Sequence, residues 1–130
     1  MADCHNGRIL KTKPGSQAFE AFHPLGQLTR EEAWTEYHMN SMAAHPNGTL
    51  WVLLHNSLKK PSEIVVVNSE FEIVRRFELS AGAAHNIVFT NDELEYLVAD
   101  SYGGRILSAR RRIDGKDFSP SNYTLAESAR

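Results

Sequence analysis

Histidine and asparagine residues recur at the start of two predicted strands. His38 and Asn40 precede one apolar stretch of the chain, and His85 and Asn86 open another. Imidazole nitrogens can ligate metals or act as general bases, and amide oxygens can ligate hard divalent cations. The same side chains can instead hydrogen-bond to turn backbone, which is a purely structural role. Which role applies depends on the elements that bring these residues together.

A short motif is written at both ends of the chain. Residues 2–10 and 99–107 share six identities in nine positions, among them Arg-Ile-Leu at 8–10 and at 105–107. A looser copy runs from His55 to Val65. Internal repeats indicate a repeat architecture before any single element is assigned.

The central repeat contains four short predicted strands, at 40–43, 50–54, 63–67 and 72–79. Asn47-Gly48 lies between the first two and favours a tight hairpin, because both residues tolerate positive φ. Four antiparallel strands with short turns are typical of one β-propeller blade. The sequence therefore predicts an all-β fold of four-stranded propeller blades, in an incomplete ring. The predicted units are half a blade at 1–36, a blade at 37–83 and a blade at 84–130. A small β domain unrelated to propellers is the alternative.

One short helix is predicted between the first two units, over residues 30–36. Thr29 followed three residues later by Glu32 forms a capping box, and Glu31 lies in the first turn, where the helix dipole favours negative charge. We expect Trp34 and Tyr37 to pack this helix against the sheets.

Propeller topology places the start of each inner strand on the same face as the loop between the second and third strands. We therefore expect one mouth of the channel to collect the candidate ligand-binding residues, which are His38, Asn40, His55, Asn56, His85, Asn86 and Asp100. For each of them a structural role is the alternative. Asp100 has a counterpart, Asp3, in the first repeat, and this favours a loop-holding role.

The pattern His-x-Asn at 38–40 with His-Asn at 85–86 resembles six-bladed propellers of the gluconolactonase and senescence-marker type. The segment from Tyr96 to Ser101 is similar to the Tyr-x-x-Asp-Ser motif of those proteins, with one extra residue before the Asp. Arylsulfotransferase-like and NHL-type propellers are similar in the same places. The resemblance implies that Asn40 and Asn86 ligate a divalent metal such as Ca, Mg or Zn. The carboxylates that such enzymes also use are missing from the strand starts.

Composition limits the partners and the compartment. The 130 residues carry a formal net charge of −2, which gives no reason to expect nucleic acid or an anionic membrane as partner. Cys4 is the single cysteine, so no intrachain disulfide can form. No stretch approaches the about 20 apolar residues of a membrane span. Cytoplasmic location is the prediction, unless the chain is a segment of a longer one.

Closure of the ring bears on the function. A propeller needs at least about four blades, more than this chain supplies. We therefore expect either self-association or the rest of a longer propeller chain as partner, with a small-molecule ligand at the mouth. The leading hypothesis is a binding or interaction module. The alternatives are part of a metal-dependent hydrolase or lactonase, and a truncated gene product without a function of its own.

Overall fold

The computed structural model describes residues 1–79, 81–89, 95–101, 103–111 and 118–124. These residues form three antiparallel sheets, each built from strands that follow one another in the chain. Parts of the blade predicted at 84–130 lie outside the described residues.

The first sheet has three strands, β1 (Ala2–Asp3), β2 (Arg8–Lys11) and β3 (Glu20–Phe22). Ala2 and Asp3, to which the sequence analysis assigned no strand, pair with Ile9 and Arg8. The third sheet pairs the matching residues, 99 with 106 and 100 with 105. The repeated motif therefore includes a strand end, and its strand register is conserved between the two copies.

The other two sheets have four strands each, in the orders β4-β5-β6-β7 and β8-β9-β10-β11. Their bounds are β4 Met39–Ala44, β5 Leu50–Leu54, β6 Glu63–Val67, β7 Ile73–Glu78, β8 Ala84–Phe89, β9 Glu95–Asp100, β10 Arg105–Arg111 and β11 Phe118–Thr124. The prediction of an all-β fold with antiparallel sheets is confirmed.

The core consists of two layers, one on each side of the second sheet. Successive residues of a strand point to opposite faces, so β5 directs Trp51 and Leu53 toward the third sheet and Val52 and Leu54 toward the first. Strand β6 does the same with 64 and 66 on one face and 65 and 67 on the other. This explains why these two strands are apolar at nearly every position: both faces of the second sheet are covered.

A β-bulge lies near the start of each inner strand, β4 and β8. The register shifts between Met39 and Ser41 in one strand and between His85 and Ile87 in the other, so Asn40 and Asn86 are the inserted residues. A bulge changes the direction in which its side chain points. The two asparagines that the sequence singled out therefore occupy equivalent and irregular positions.

The inserted helix spans Glu32–Tyr37 and is of the π type. Its predicted capping box is present: the Thr29 hydroxyl accepts from the Glu32 N–H at 3.1 Å, and the Glu32 carboxylate accepts from the Thr29 N–H at 3.0 Å. The wide π turn closes where the N–H of His38 donates to the carbonyl of Ala33 at 2.8 Å. Within the described residues, no helix is long and apolar enough to cross a membrane.

Candidate functional site

Five aromatic rings form a continuous chain at one end of the sheets. His5 stacks on Trp34 at 4.9 Å between ring centroids, Trp34 stacks on His38 at 4.3 Å, His38 lies 5.0 Å from His55, and His55 lies 4.9 Å from His85. We call these five residues the histidine cluster. They come from the β1–β2 turn, the inserted helix and its end, the loop after β5, and strand β8. The cluster thus joins all three sheets.

The predicted mouth residues are brought together in part. His38, His55 and His85 belong to the cluster, and Asn40 reaches it because its Nδ2 lies 2.8 Å from Nδ1 of His85. The Asn40–His85 contact crosses from the second sheet to the third. A second bond follows the same path, since the N–H of Ile87 donates to the Ser41 hydroxyl at 3.0 Å.

The other three predicted residues lie apart from the ring contacts. Asn56 is fully buried, and its Nδ2 donates to the carbonyl of Pro61 at 2.8 Å. Asp100 is 2% exposed and accepts from the N–H of Gly103 at 3.2 Å. Asn86 is exposed and has a φ of 53°. Asn56 and Asp100 hold loops from within, whereas Asn86 faces outward; for all three a ligand contact stays a prediction.

Sequence reasoning assigned no role to His5 and expected Trp34 to serve packing. In the structure, both His5 and His38 stack on the Trp34 indole, while 44% of Trp34 remains exposed. A ligand at the cluster can therefore reach this indole. The signal for His5 was the repeat. The β1–β2 turn that carries His5 corresponds to the loop between the second and third strands of a four-stranded sheet, and the same loop of the second sheet carries His55.

The turn after β5 has an unusual backbone. Asn56, Ser57 and Leu58 have φ values of 60°, 50° and 63°, in the left-handed region that non-glycine residues rarely adopt. Strained backbone of this kind costs of the order of 1 kcal/mol or more per residue and is concentrated at functional sites. The left-handed turn (Asn56–Leu58) keeps Leu58 56% exposed beside the cluster.

Two contacts fasten this left-handed turn to the inserted helix. The Ser57 hydroxyl donates to the carbonyl of Trp34 at 3.0 Å, and Lys59 pairs with Glu36 at 2.6 Å. The helix and the turn therefore hold Trp34 and His55 in a fixed relation. π-helical turns, like strained turns, are frequent at functional sites.

The electrostatic setting keeps two of the imidazoles uncharged near neutral pH. Burial lowers the pKa of His38 below its usual value of 6.5, and positive charge on His85 and His5 lowers it further. Burial likewise lowers the pKa of His55, with added repulsion from His38 and His85. Positive charge on neighbouring imidazoles thus lowers the pKa of His38 and His55 in addition to burial.

We predict that acid lowers the free energy of unfolding because His38 and His55 become protonated more readily in the unfolded chain. Because His38 and His55 bind protons less readily in the folded chain than in the unfolded chain, their contribution is fully present above about pH 6.5 and is lost as the pH falls from there through the folded pKa values. Urea denaturation between about pH 5 and pH 8 should show the free energy of unfolding falling toward acid. His55→Phe keeps a ring but removes one titrating group, so its profile should be shallower. Superimposable pH profiles for the two proteins would contradict this.

The predicted metal ligands lack supporting donors in the described part of the chain. Asn40 directs its amide Nδ2 at His85, which leaves Oδ1 as its one possible ligand atom, and Asn86 has no neighbouring carboxylate among the contacts that the structure shows. No group of three or more His, Cys, Asp or Glu side chains is arranged to hold a metal ion within those residues. Asn40 and Asn86 as metal ligands therefore stay a prediction.

Comparison with known proteins gives the fold. No protein-family model matches the chain, and no curated protein is similar to it at a significant level. A crystal structure of a protein from Lactobacillus plantarum, solved as a structural genomics target, is similar with a TM-score of 0.65 at 17% identity. The match covers 93% of this chain and 37% of that chain, so this chain spans little more than a third of its structural neighbour. The three sheets have a β-propeller-like fold.

Proposed function

We propose that this chain is a propeller-type binding module and that the histidine cluster is its binding site. One observation carries the proposal: His38, His55 and His85 come from three different elements and meet in direct ring contact, with Trp34 half-exposed beside them. Convergence of a few polar and aromatic side chains from different elements is a feature of small-molecule sites.

The way in which the cluster is built supports binding over a purely structural role. The left-handed turn and the desolvated imidazoles each cost free energy, and an apolar core at the same place would avoid both costs. Proteins retain such costly features where function requires them. A role in loop architecture alone would leave the exposure of Trp34 and Leu58 unexplained.

A metal-dependent hydrolase or lactonase is the less favoured alternative. It would need Asn40 and Asn86 to share one cation, with oxygen ligands in addition to theirs, because hard divalent cations take six or more ligands. The two asparagines lie in equivalent bulges of different sheets, and Asn40 is engaged by His85. This arrangement favours the amide as a support for the cluster.

We also propose that the module works within a closed ring, completed by further copies or by the rest of a longer chain. The described residues form three sheets, whereas a closed propeller needs at least about four blades. A native mass spectrum tests self-assembly: a discrete oligomer is expected if copies close the ring. A monomer would assign closure to a longer chain, and a polydisperse ladder of aggregates would contradict a ring closed by copies.

Fluorescence of Trp34 tests the binding site directly. We expect a saturable change when the chain is titrated with at least one of glucose, succinate, inorganic phosphate and Zn²⁺, because the indole contacts two cluster imidazoles. The change should require a ligand concentration about tenfold higher or more in His55→Phe and be kept unaltered in His23→Gln, which alters a histidine without a ring contact in the cluster. Trp34→Phe supplies the background from Trp51. Equal responses of wild type and His55→Phe would refute the site.

A further inference from the structure

We infer that the ligand of the histidine cluster carries an oxyanion, a carboxylate or phosphate group, which accepts hydrogen bonds from Nε2–H of His55 and His85. This inference rests on the proposed function and names the chemistry of its ligand. It follows from the hydrogen bonds that the two rings already make.

The tautomer of His55 is fixed by a backbone group. The N–H of Ser57 lies 3.0 Å from Nδ1 of His55 and can only donate. Nδ1 must therefore be the acceptor, and a neutral imidazole with an acceptor at Nδ1 carries its proton on Nε2. Near neutral pH, His55 offers an N–H donor and no lone pair at Nε2.

His85 has the same arrangement through a different partner. Nδ2 of Asn40 lies 2.8 Å from Nδ1 of His85, and an amide NH₂ can only donate. His85 therefore also carries its proton on Nε2. The bulge at Asn40 directs this amide toward the next sheet, so the tautomer of His85 depends on a residue 45 positions away.

These tautomers disfavour a metal and favour an anion. A cation at Nε2 would require that nitrogen to lose its proton and Nδ1 to gain one, which would oppose the donor of Ser57 in His55 and the donor of Asn40 in His85. The ring centroids of His55 and His85 lie 4.9 Å apart, so an acceptor with several oxygens suits their two N–H donors.

The carboxylates of Glu36, in the inserted helix, and Glu63, at the start of β6, are occupied by lysine and arginine side chains. Glu36 pairs with Lys59 at 2.6 Å, and Glu63 pairs with Arg76 at 2.6 Å and with Lys60 at 3.6 Å. In the described part of the chain, no carboxylate makes a contact with His38, His55 or His85 that the structure shows. An oxyanion from solution would supply an acceptor to the Nε2–H groups of His55 and His85.

Nitrogen-15 NMR of histidine side chains tests both the tautomers and the ligand. In the full chain near neutral pH, we expect His55 and His85 to show protonated Nε2 and unprotonated Nδ1. Addition of inorganic phosphate or of succinate should shift their Nε2 signals saturably, whereas glucose should not. Response to phosphate alone or to succinate alone identifies which oxyanion the site prefers. Protonated Nδ1 on either ring would overturn the inference.

Variants separate this inference from the proposed function. His55→Phe should weaken binding of the active anion by about tenfold or more, the effect of losing one hydrogen bond to a charged group. His23→Gln is the matched control and should bind as the wild type does. The proton spectrum of each variant checks that the fold is retained. Saturable binding of glucose or Zn²⁺ without any response to the anions would overturn the oxyanion and leave the binding module standing. No response to any of the four probes would overturn both.

Discussion

Replacing Arg76 with methionine is expected to lower the free energy of unfolding by about 2 to 3 kcal/mol. Arg76 donates to both carboxylate oxygens of Glu63, at 2.6 Å and 3.2 Å, and the Glu63 side chain is only 10% exposed. Removing the arginine leaves a carboxylate in a nearly dry site, which costs about 3 to 5 kcal/mol for fully buried pairs. The loss here is smaller, because the Arg76 side chain is 43% exposed and Lys60 remains 3.6 Å away.

Chemical denaturation measures this loss, and two further variants give it meaning. Arg75→Met removes an arginine from the neighbouring position of β7, where the guanidinium lies over the ring of Phe77, and so separates the loss of an arginine from the loss of the Glu63 pair. The double variant with methionine at both 63 and 76 should recover part of the stability, because no charge is left unpaired. A double variant less stable than Arg76→Met would contradict the ion-pair explanation.

The same pair predicts a pH dependence. Burial acts to raise the pKa of Glu63, but the hydrogen bonds and charge of Arg76, with Lys60 and Asn56, outweigh it and hold the pKa below the usual 4.5. The stabilisation is therefore present above about pH 4.5 and is lost as the pH falls through the lower, folded pKa. In Arg76→Met burial is no longer opposed by the arginine, so the pKa of Glu63 should rise and protonation should relieve the unpaired carboxylate. Urea denaturation should therefore show the stability gap between wild type and Arg76→Met narrowing toward acid pH.

Replacing Gly7 with alanine is expected to cost about 2 kcal/mol, roughly twice the cost of the same change at Gly104. The two glycines occupy the same place in the repeated motif and have φ values of 62° and 63°. Alanine at either position is strained by about 1 kcal/mol. At Gly7 the added methyl would also lie 2.8 Å from Cδ1 of Leu28 and 3.3 Å from Cβ of Ala33, whereas at Gly104 nothing lies within 4 Å.

The difference between Gly7→Ala and Gly104→Ala isolates the contact between the first sheet and the inserted helix. Leu28 can rotate away, but Ala33 is a buried residue of the helix that carries Trp34, so the helix itself must shift. We therefore expect Gly7→Ala, and not Gly104→Ala, to change Trp34 fluorescence as well as stability. Thermal unfolding and fluorescence of the two variants check this. Equal losses of stability would show that backbone strain alone decides the cost.

Local sequence signals predicted the elements closely. Asn47-Gly48 and the apolar runs around it located β5 and β6 at their observed bounds, because hairpin geometry and burial on both faces act on neighbouring residues. The capping box at Thr29 located the start of the helix for the same reason. The strand at Ala2–Asp3 was missed, since two residues carry no periodicity of their own.

The candidate site was predictable only as a neighbourhood. Repeat topology alone was enough to place His38, His55 and His85 at one end of the sheets. It could not show that Asn56 and Asp100 are buried, that Asn40 bonds across to His85, or that His5 covers Trp34. Each of these depends on which way a side chain turns in a bulge or an irregular loop, and composition does not encode that direction.

The sequence by itself determined the repeat, the strand order and the end of the sheets where polar residues gather, because these follow from patterns that recur within about 47 residues. Only the tertiary structure decided the chemistry of the site. The tautomers of His55 and His85 depend on a left-handed turn and on a bulge in another sheet, and the uncharged state of His38 and His55 depends on burial beside other imidazoles. Packing sets these properties, because hydrogen-bond partners and desolvation depend on residues far apart in the chain.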